Sequence, residues 1–246
     1  MTETKRDMEK IWNLKKQGDQ NEVKHLSAAL NVNMVLARLL VQRGIKTFNE
    51  AKAFFRPRLS DLHNPFLMKD MDKAVKRLKL AIDNQEKVII YGDYDVDGTT
   101  SVALMYTFLE SRIDQIEYYI PDRYSEGYGI SPQSINFAEE NGYSLIIALD
   151  CGIKAVEKIA NAKERGVDFI ICDHHNPGEE IPPAVAVLDP KQIDCPYPYK
   201  ELSGCGVGFK FAQAFCQEYD IELEEIYDLL DLLVVSIAAD IVPLTG

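Results

Sequence analysis

Short runs that are apolar without interruption alternate along this chain with longer stretches in which apolar residues recur every three or four positions. Lys87-Val-Ile-Ile90 opens the first such run, and a strand is expected over 87–92. Behind it Val102, Met105, Tyr106 and Leu109 fall at i, i+3, i+4 and i+7, the stripe of an amphipathic helix over 98–111. The alternation then continues with a strand over 115–120, a glycine-bearing loop and a helix over 131–141, a strand over 144–149, a helix over 153–165 and a strand over 167–172. After a proline-rich loop, Val185-Ala-Val-Leu188 forms one more short strand. Strands and helices in this order build an α/β fold, a mostly parallel sheet with helices on both faces. Upstream, Leu26, Leu30, Val35, Leu36, Leu39 and Leu40 are spaced for two or three short helices over 21–56, with a break at Gly44. Residues 1–20 are polar and expected to be loosely ordered at the start. The stretch from Phe54-Phe55-Arg56-Pro57-Arg58 to Asn64-Pro65 reads as a linker, whose aromatics and arginines either pack on a neighbouring domain or touch a nucleic-acid strand. Asp70 stands as the N-cap of a helix carrying Met71, Val75, Leu78 and Ile82 on one face. The expected organisation is a small helical N-terminal region with linker over 1–70 and an α/β domain over 71–246.

Composition narrows the class without choosing a function. Of 246 residues, 46% are hydrophobic and 27% charged, an ordinary soluble mixture. The net charge of −12 argues against a uniformly basic nucleic-acid binder and leaves room for a local groove. Five cysteines without CxxC spacing are read as reduced thiols in a cytoplasmic protein. Met1-Thr-Glu-Thr-Lys-Arg-Asp7 has no apolar core and does not resemble a signal peptide. The longest apolar stretch, Leu229 to Ala239, is interrupted by Asp231 and Ser236 and is too short to span a bilayer.

The chemistry lies in where the polar residues fall. Asp93, Asp95 and Asp97 follow the first strand, Asp150 follows Leu145-Ile-Ile-Ala-Leu149, and Asp173-His174-His175 follow the strand ending at Cys172. In a parallel sheet these carboxyl ends share one edge, where open α/β folds bind ligands. If the chain stays extended through 93–97, the three carboxylates point the same way and repel one another. A cation removes that conflict, and oxygen donors suit Mg²⁺, Mn²⁺ or Ca²⁺. A calcium loop of the EF-hand type is excluded, because the twelfth position from Asp93 is Leu104 rather than Glu and a strand, not a helix, precedes the loop. An imidazole with shared carboxylates can hold two divalent ions about 3.5–4 Å apart, the arrangement that serves phosphoryl hydrolysis. Gly204, Gly206 and Gly208, expected just before a helix, could offer backbone N–H groups to a phosphate.

Six segments in order, Tyr91-Gly-Asp-Tyr-Asp-Val-Asp-Gly98, Pro121-Asp-Arg-Tyr-Ser-Glu-Gly-Tyr-Gly129, Ala148-Leu-Asp-Cys-Gly152, Cys172-Asp-His-His175, Ser203-Gly-Cys-Gly-Val-Gly-Phe-Lys210 and Ala238-Ala-Asp-Ile-Val-Pro-Leu-Thr-Gly246, resemble the DHH phosphoesterase family, named for Asp-His-His. The similarity runs from about Leu26 to Gly246 and is closest to the family's single-strand-specific exonucleases. It implies that Asp95, Asp97, Asp150, His174 and Asp240 are ligands of two Mn²⁺ or Mg²⁺ ions, with Asp150 bridging. It also implies that Asp93 lines the site or joins the ligands and that His175 contacts the scissile phosphate. Five carboxylates against two divalent ions leave the site near −1, so Arg123 and Lys210 are candidate phosphate partners, Arg for its planar fork of donors. The implied activity is 5′-to-3′ digestion of single-stranded DNA to 5′-mononucleotides in repair and recombination. The implied setting is a cytoplasmic monomer, with a single-strand-binding protein or a helicase as partner. Two rivals remain: a DHH phosphatase acting on short oligonucleotides, cyclic dinucleotides or pyrophosphate, and a scaffold that has lost catalysis. The family's second domain, with its glycine-rich His motif, and the oligonucleotide-binding fold of the exonucleases are not found in this sequence, which suggests a fragment holding the metal-bearing half.

Overall fold

The structure, a computed structural model, describes residues 11–244, so the first half of the polar N-terminal stretch and the last two residues lie outside it. The chain divides into two compact units, one through Leu62 and one from His63 onward.

The first unit holds three short helices, α1 (Gln20–Leu30), α2 (Met34–Val41) and α3 (Phe48–Phe55). Each starts on a side-chain cap that satisfies N–H groups the helix cannot. Asp19 accepts from Asn21 and Glu22, Asn33 from Val35 and Leu36, and Thr47 pairs reciprocally with Glu50 in a capping box. The core is small: Val23, Leu26, Ala37, Leu40 and Val41. Leu30 only packs against it, while Val35, Leu36 and Leu39 stay exposed. Phe54 and Phe55, expected in a linker, form the last turn of α3, because the capping box starts a helix that nothing stops before Arg56-Pro57.

The second unit opens with residues 63–70, which the sequence placed in the linker. They pack on the α/β core instead: Phe66 lies against it, Met68 is buried, and the Lys69 N–H reaches Cys195 Sγ at 3.5 Å. Then follow α4 (Met71–Asp83), β1 (Val88–Gly92), α5 (Val96–Leu109), β2 (Ile116–Tyr119), α6 (Pro132–Asn141), β3 (Leu145–Leu149), α7 (Val156–Glu164), β4 (Asp168–Cys172) and β5 (Ala186–Leu188). The chain ends in α8 (Gly204–Glu218), α9 (Glu224–Tyr227) and α10 (Leu230–Asp240). Asp70 holds the N-cap position of α4, its carbonyl accepting from the Ala74 N–H at 3.0 Å, but its side chain does not cap the helix. The residue sits in the left-handed region at φ 62°, pairs with Lys73 at 2.6 Å and accepts from the Val187 N–H.

The five strands are all parallel in the order β2-β1-β3-β4-β5. Alternate residues feed two cores. Val88, Ile90, Leu145, Ile147 and Ile170 face α4, α5 and α8, while Ile89, Tyr91, Ile146, Ala148, Phe169 and Ile171 face α6 and α7. Burial on both faces is why β1 and β3 read as unbroken apolar runs. In this strand order the direction of winding reverses between β1 and β3, and ligands bind in the crevice outside the carboxyl ends at such a point. Asp93 and Asp150 follow those two strands. All five cysteines are unpaired and buried. No helix among the described residues is long and apolar enough to cross a membrane.

Candidate metal centre

The aspartates after β1 do not stay extended and do not share one role. Asp93 is buried; one oxygen accepts its neighbour's N–H, Tyr94, at 2.7 Å, and Oδ2 has no partner. Burial raises its carboxyl above the usual range. Asp95 is the exposed N-cap of α5, accepting from the Gly98 N–H at 2.9 Å. Asp97, in the first helical turn, is buried and points the other way, into the start of α8. The strand can turn this tightly because residue 98 is a glycine: a Cβ there would stand 2.4 Å from the Asp93 carbonyl oxygen.

Asp97 is held by three donors. The Gly204 N–H reaches Oδ2 at 2.7 Å, the Cys205 N–H reaches Oδ1 at 2.9 Å, and the Ser236 hydroxyl of α10 reaches Oδ1 at 2.7 Å. Ser203, the N-cap of α8, bonds both the Gly206 N–H and the Ser236 hydroxyl. The glycine segment is therefore the first turn of α8. The N–H groups of Gly204 and Gly206, expected to meet a phosphate, are already taken by Asp97 and Ser203. Lys210 is likewise not a phosphate partner: it is buried, and its amine donates to the His63 carbonyl and the Gln213 side chain. Burial lowers it to about 8. Arg123 is exposed, with its guanidinium over the Tyr94 ring at 5.3 Å.

Asp150 sits at φ 59°, a left-handed conformation fixed by its N–H donating to the Cys172 carbonyl at 2.8 Å. It is 1% exposed, and Oδ1 has no aligned hydrogen-bond donor. Burial, with the charges of Asp97, Asp95 and Asp173, pushes its carboxyl far above the ordinary range. Gly204 closes over it, since a Cβ there would lie 2.6 Å from the Asp150 Cβ.

His174 brings these groups to a focus. Its Nε2 lies 3.2 Å from Asp150 Oδ1, 3.7 Å from Asp97 Oδ2 and 3.7 Å from Asp240 Oδ2. Asp240 arrives from the end of α10, whose packing on α5 carries it across the fold. Two sets of donors, Asp97-His174-Asp240 and Asp150-His174-His175, each gather within 4.8 Å. Three carboxylate oxygens thus crowd within 3.7 Å of one imidazole nitrogen. With orphaned oxygens on Asp93 and Asp150 beside it, this oxygen-rich donor set fits hard divalent cations.

His175 turns outward. Its Nδ1 lies 2.7 Å from Asp173 Oδ1 and its Nε2 3.2 Å from the Tyr128 hydroxyl. The pairing with Asp173 raises the His175 imidazole. Burial works against ionisation of Asp173, but the His175 pairing and the backbone donors outweigh it and hold the carboxyl low. A cavity of about 560 Å³ opens beside these residues, between Tyr128 and the start of α7.

Several supporting residues were not foreseen. Ser236 looked like a polar interruption of an apolar stretch, and Ser203 and Tyr128 were only parts of motifs. Asp189, after β5, is another buried strand-end carboxylate, with Oδ2 unpartnered and burial pushing it up to about 7. Its position at the end of the last strand was the available signal.

The model of the DHH family, N-terminal domain, matches residues 87–237. The single-stranded-DNA-specific exonuclease RecJ of Bacillus subtilis is 46% identical over 226 residues, 92% of this chain and 28% of the relative. RecJ of Escherichia coli is 33% identical over 220 residues, 85% of this chain and 37% of the relative. The chain thus spans well under half the length of these curated relatives. The crystal structure of RecJ from Thermus thermophilus in complex with Mn²⁺ superposes with a TM-score of 0.76 at 26% identity, over 93% of this chain and 32% of that one. A second, of exonuclease RecJ bound to manganese, gives 0.66 at 30% identity, over 73% of this chain and 45% of that one.

Proposed function

The chain belongs to the DHH family, and from that membership we propose that it is the ion-holding part of a two-metal, single-strand-specific DNA exonuclease, working 5′ to 3′ and releasing 5′-mononucleotides. The observation that carries this reading is the convergence of Asp97, Asp150 and Asp240 oxygens on His174 Nε2 within 3.2–3.7 Å.

In this reading Asp95, Asp97, Asp150, His174 and Asp240 would hold two ions, Mn²⁺ or Mg²⁺, with Asp150 shared between them, and Asp93 would line the site through its free Oδ2. Relatives whose structures carry Mn²⁺ support the choice of metal. Bound there, such ions supply an activated water and charge stabilisation at a leaving oxygen. The chain's own residues do the rest. Asp97 keeps its direction because backbone and hydroxyl donors fix both oxygens. Asp173 orients His175, whose Nε2 faces outward to contact the scissile phosphate. Arg123, exposed on the same rim, draws in the phosphodiester, while Lys210 and the α8 glycines take no part in phosphate binding. The strand is the substrate. A single-strand-binding protein or helicase as partner, a monomeric state and a cytoplasmic setting rest on the resemblance alone.

The test places the chain beside its B. subtilis relative, with Mn²⁺, on 5′- or 3′-labelled single strands and on pyrophosphate. Release of 5′-mononucleotides from the strand is expected. Hydrolysis of pyrophosphate in preference to the strand overturns the reading.

A further inference from the structure

Tyr128 stands where no packing requirement puts it. It is 55% exposed, yet its hydroxyl lies 3.2 Å from His175 Nε2, and its ring meets the His175 ring edge to face with centroids 6.2 Å apart. The loop that delivers it is built for a fixed shape. Asp122 accepts from the Tyr124 and Ser125 N–H groups, and Glu126 accepts from the Asp122 N–H and the Ser131 and Tyr119 hydroxyls. On its far side Tyr128 meets the Tyr94 ring at 6.2 Å, so the residue after Asp93 braces it from the strand end.

The other nitrogen of His175 settles the direction of the bond. Asp173 Oδ1 accepts the N–H groups of His174 and His175 as well as His175 Nδ1, and Oδ2 accepts the Ile153 N–H. A carboxylate with these donors has no hydrogen of its own to give, so Nδ1 carries the ring hydrogen. Nε2 is left as the atom that faces outward, and the Tyr128 phenol is the group placed on it.

We propose that Tyr128 is a positioning residue for His175: its hydroxyl on Nε2, with Asp173 on the opposite nitrogen, fixes the plane of the ring at the edge of the metal centre. This rests on the proposed role of His175 in the phosphodiesterase reading. The chain Asp173–His175–Tyr128 ties one strand end to the 121–130 loop, so the imidazole is held at both nitrogens before substrate arrives. Preorganisation of this kind spares the reaction the cost of orienting the group.

The discriminating variant is Tyr128→Phe, which keeps the ring contacts and removes only the hydroxyl. In the ion-free chain, long-range ¹H–¹⁵N spectra should show His175 with Nδ1 protonated, and the Nε2 resonance should move in Tyr128→Phe while the Tm stays within a degree or two of the parent. In the strand assay kcat should fall about tenfold with KM little changed, and the same substitution on a His175→Ala background should cost nothing further. An unmoved Nε2 resonance overturns the proposal, as does an equal loss on both backgrounds, which would mean that Tyr128 acts independently of His175. The spectra do not depend on strand digestion. A moved resonance in a chain that hydrolyses pyrophosphate in preference to the strand therefore refutes the exonuclease reading and leaves the positioning of the ring intact.

Discussion

Asp97 and Asp150 are both almost wholly buried, they both face His174, and they are treated in opposite ways. Asp97 lies in a finished pocket, with two N–H groups from the start of α8 and a hydroxyl from α10. Asp150, the residue directly after β3, has an oxygen with no aligned donor and a carboxyl pushed far up by burial and by its acidic neighbours. A buried charge is tolerable when it is hydrogen-bonded or paired. Asp97 meets that condition from within the protein; Asp150 does not, and is left to a proton or a cation. The difference separates the scaffold of the site from its docking face.

The contrast breaks most readily at Asp150. Asp150→Ala should lower Mn²⁺ affinity more than about 100-fold, against two ions per parent chain by calorimetry, since even supporting residues around a metal cost 10–100-fold. It should also cost more kcat/KM on DNA than Arg123→Ala; a larger loss at Arg123 would displace Asp150 from the centre of the site. Stability should divide the two aspartates in the opposite sense. With EDTA present, Asp97→Ala strands three donors and should destabilise the fold by about 3 kcal/mol in urea melts, while Asp150→Ala should leave it unchanged or firmer. Equal destabilisation by both would erase the distinction.

Gly204→Ala tests the shared wall. Its methyl would collide with the Asp150 side chain and backbone and displace an N–H from Asp97, so a loss of about 1–3 kcal/mol is expected together with weaker ion binding. An unchanged Tm would show that the wall yields. The smallest effect concerns Asp189, whose carboxyl is raised from 3.8 to about 7 by burial. A raised folded value stabilises fully below the unfolded one and is lost as pH rises through about 7. Asp189→Asn should therefore be more stabilising at pH 8 than at pH 4.5, by on the order of 3 kcal/mol. The same change at both pH values would mean that the carboxyl is already matched by a partner.

The sheet and its flanking helices were legible because β1, β3 and β4 are buried on both faces and stand out as unbroken apolar runs. The acidic and histidine clusters were legible because they fall where those runs stop. What escaped notice depends on contacts between distant segments. Nothing local to Ser236 says that its hydroxyl meets Asp97, or that the glycines at 204 and 206 belong inside a helix rather than before it. Lys210 misled for a related reason: from Gly204 to Cys216, α8 is buried on every side, so periodicity gives no outward face on which to place a cation. Asp240 was reached only through the motif, because an acidic residue ending a helix is commonplace until packing carries it to His174.

The all-parallel strand order also sets when the centre can exist. Val88 pairs with Leu145, and α5, β2 and α6 lie between them in the chain. Pairing across such separations comes slowly, because the loop must close before any contact rewards it. The carboxylates of residues 93–97 and 150 meet only once β1 and β3 are side by side, and Asp240 joins after α10 has docked. A divalent ion added to the unfolded chain therefore finds no assembled nest. It should slow unfolding while leaving the refolding rate as it was, acting as a latch on the finished fold rather than a seed for it.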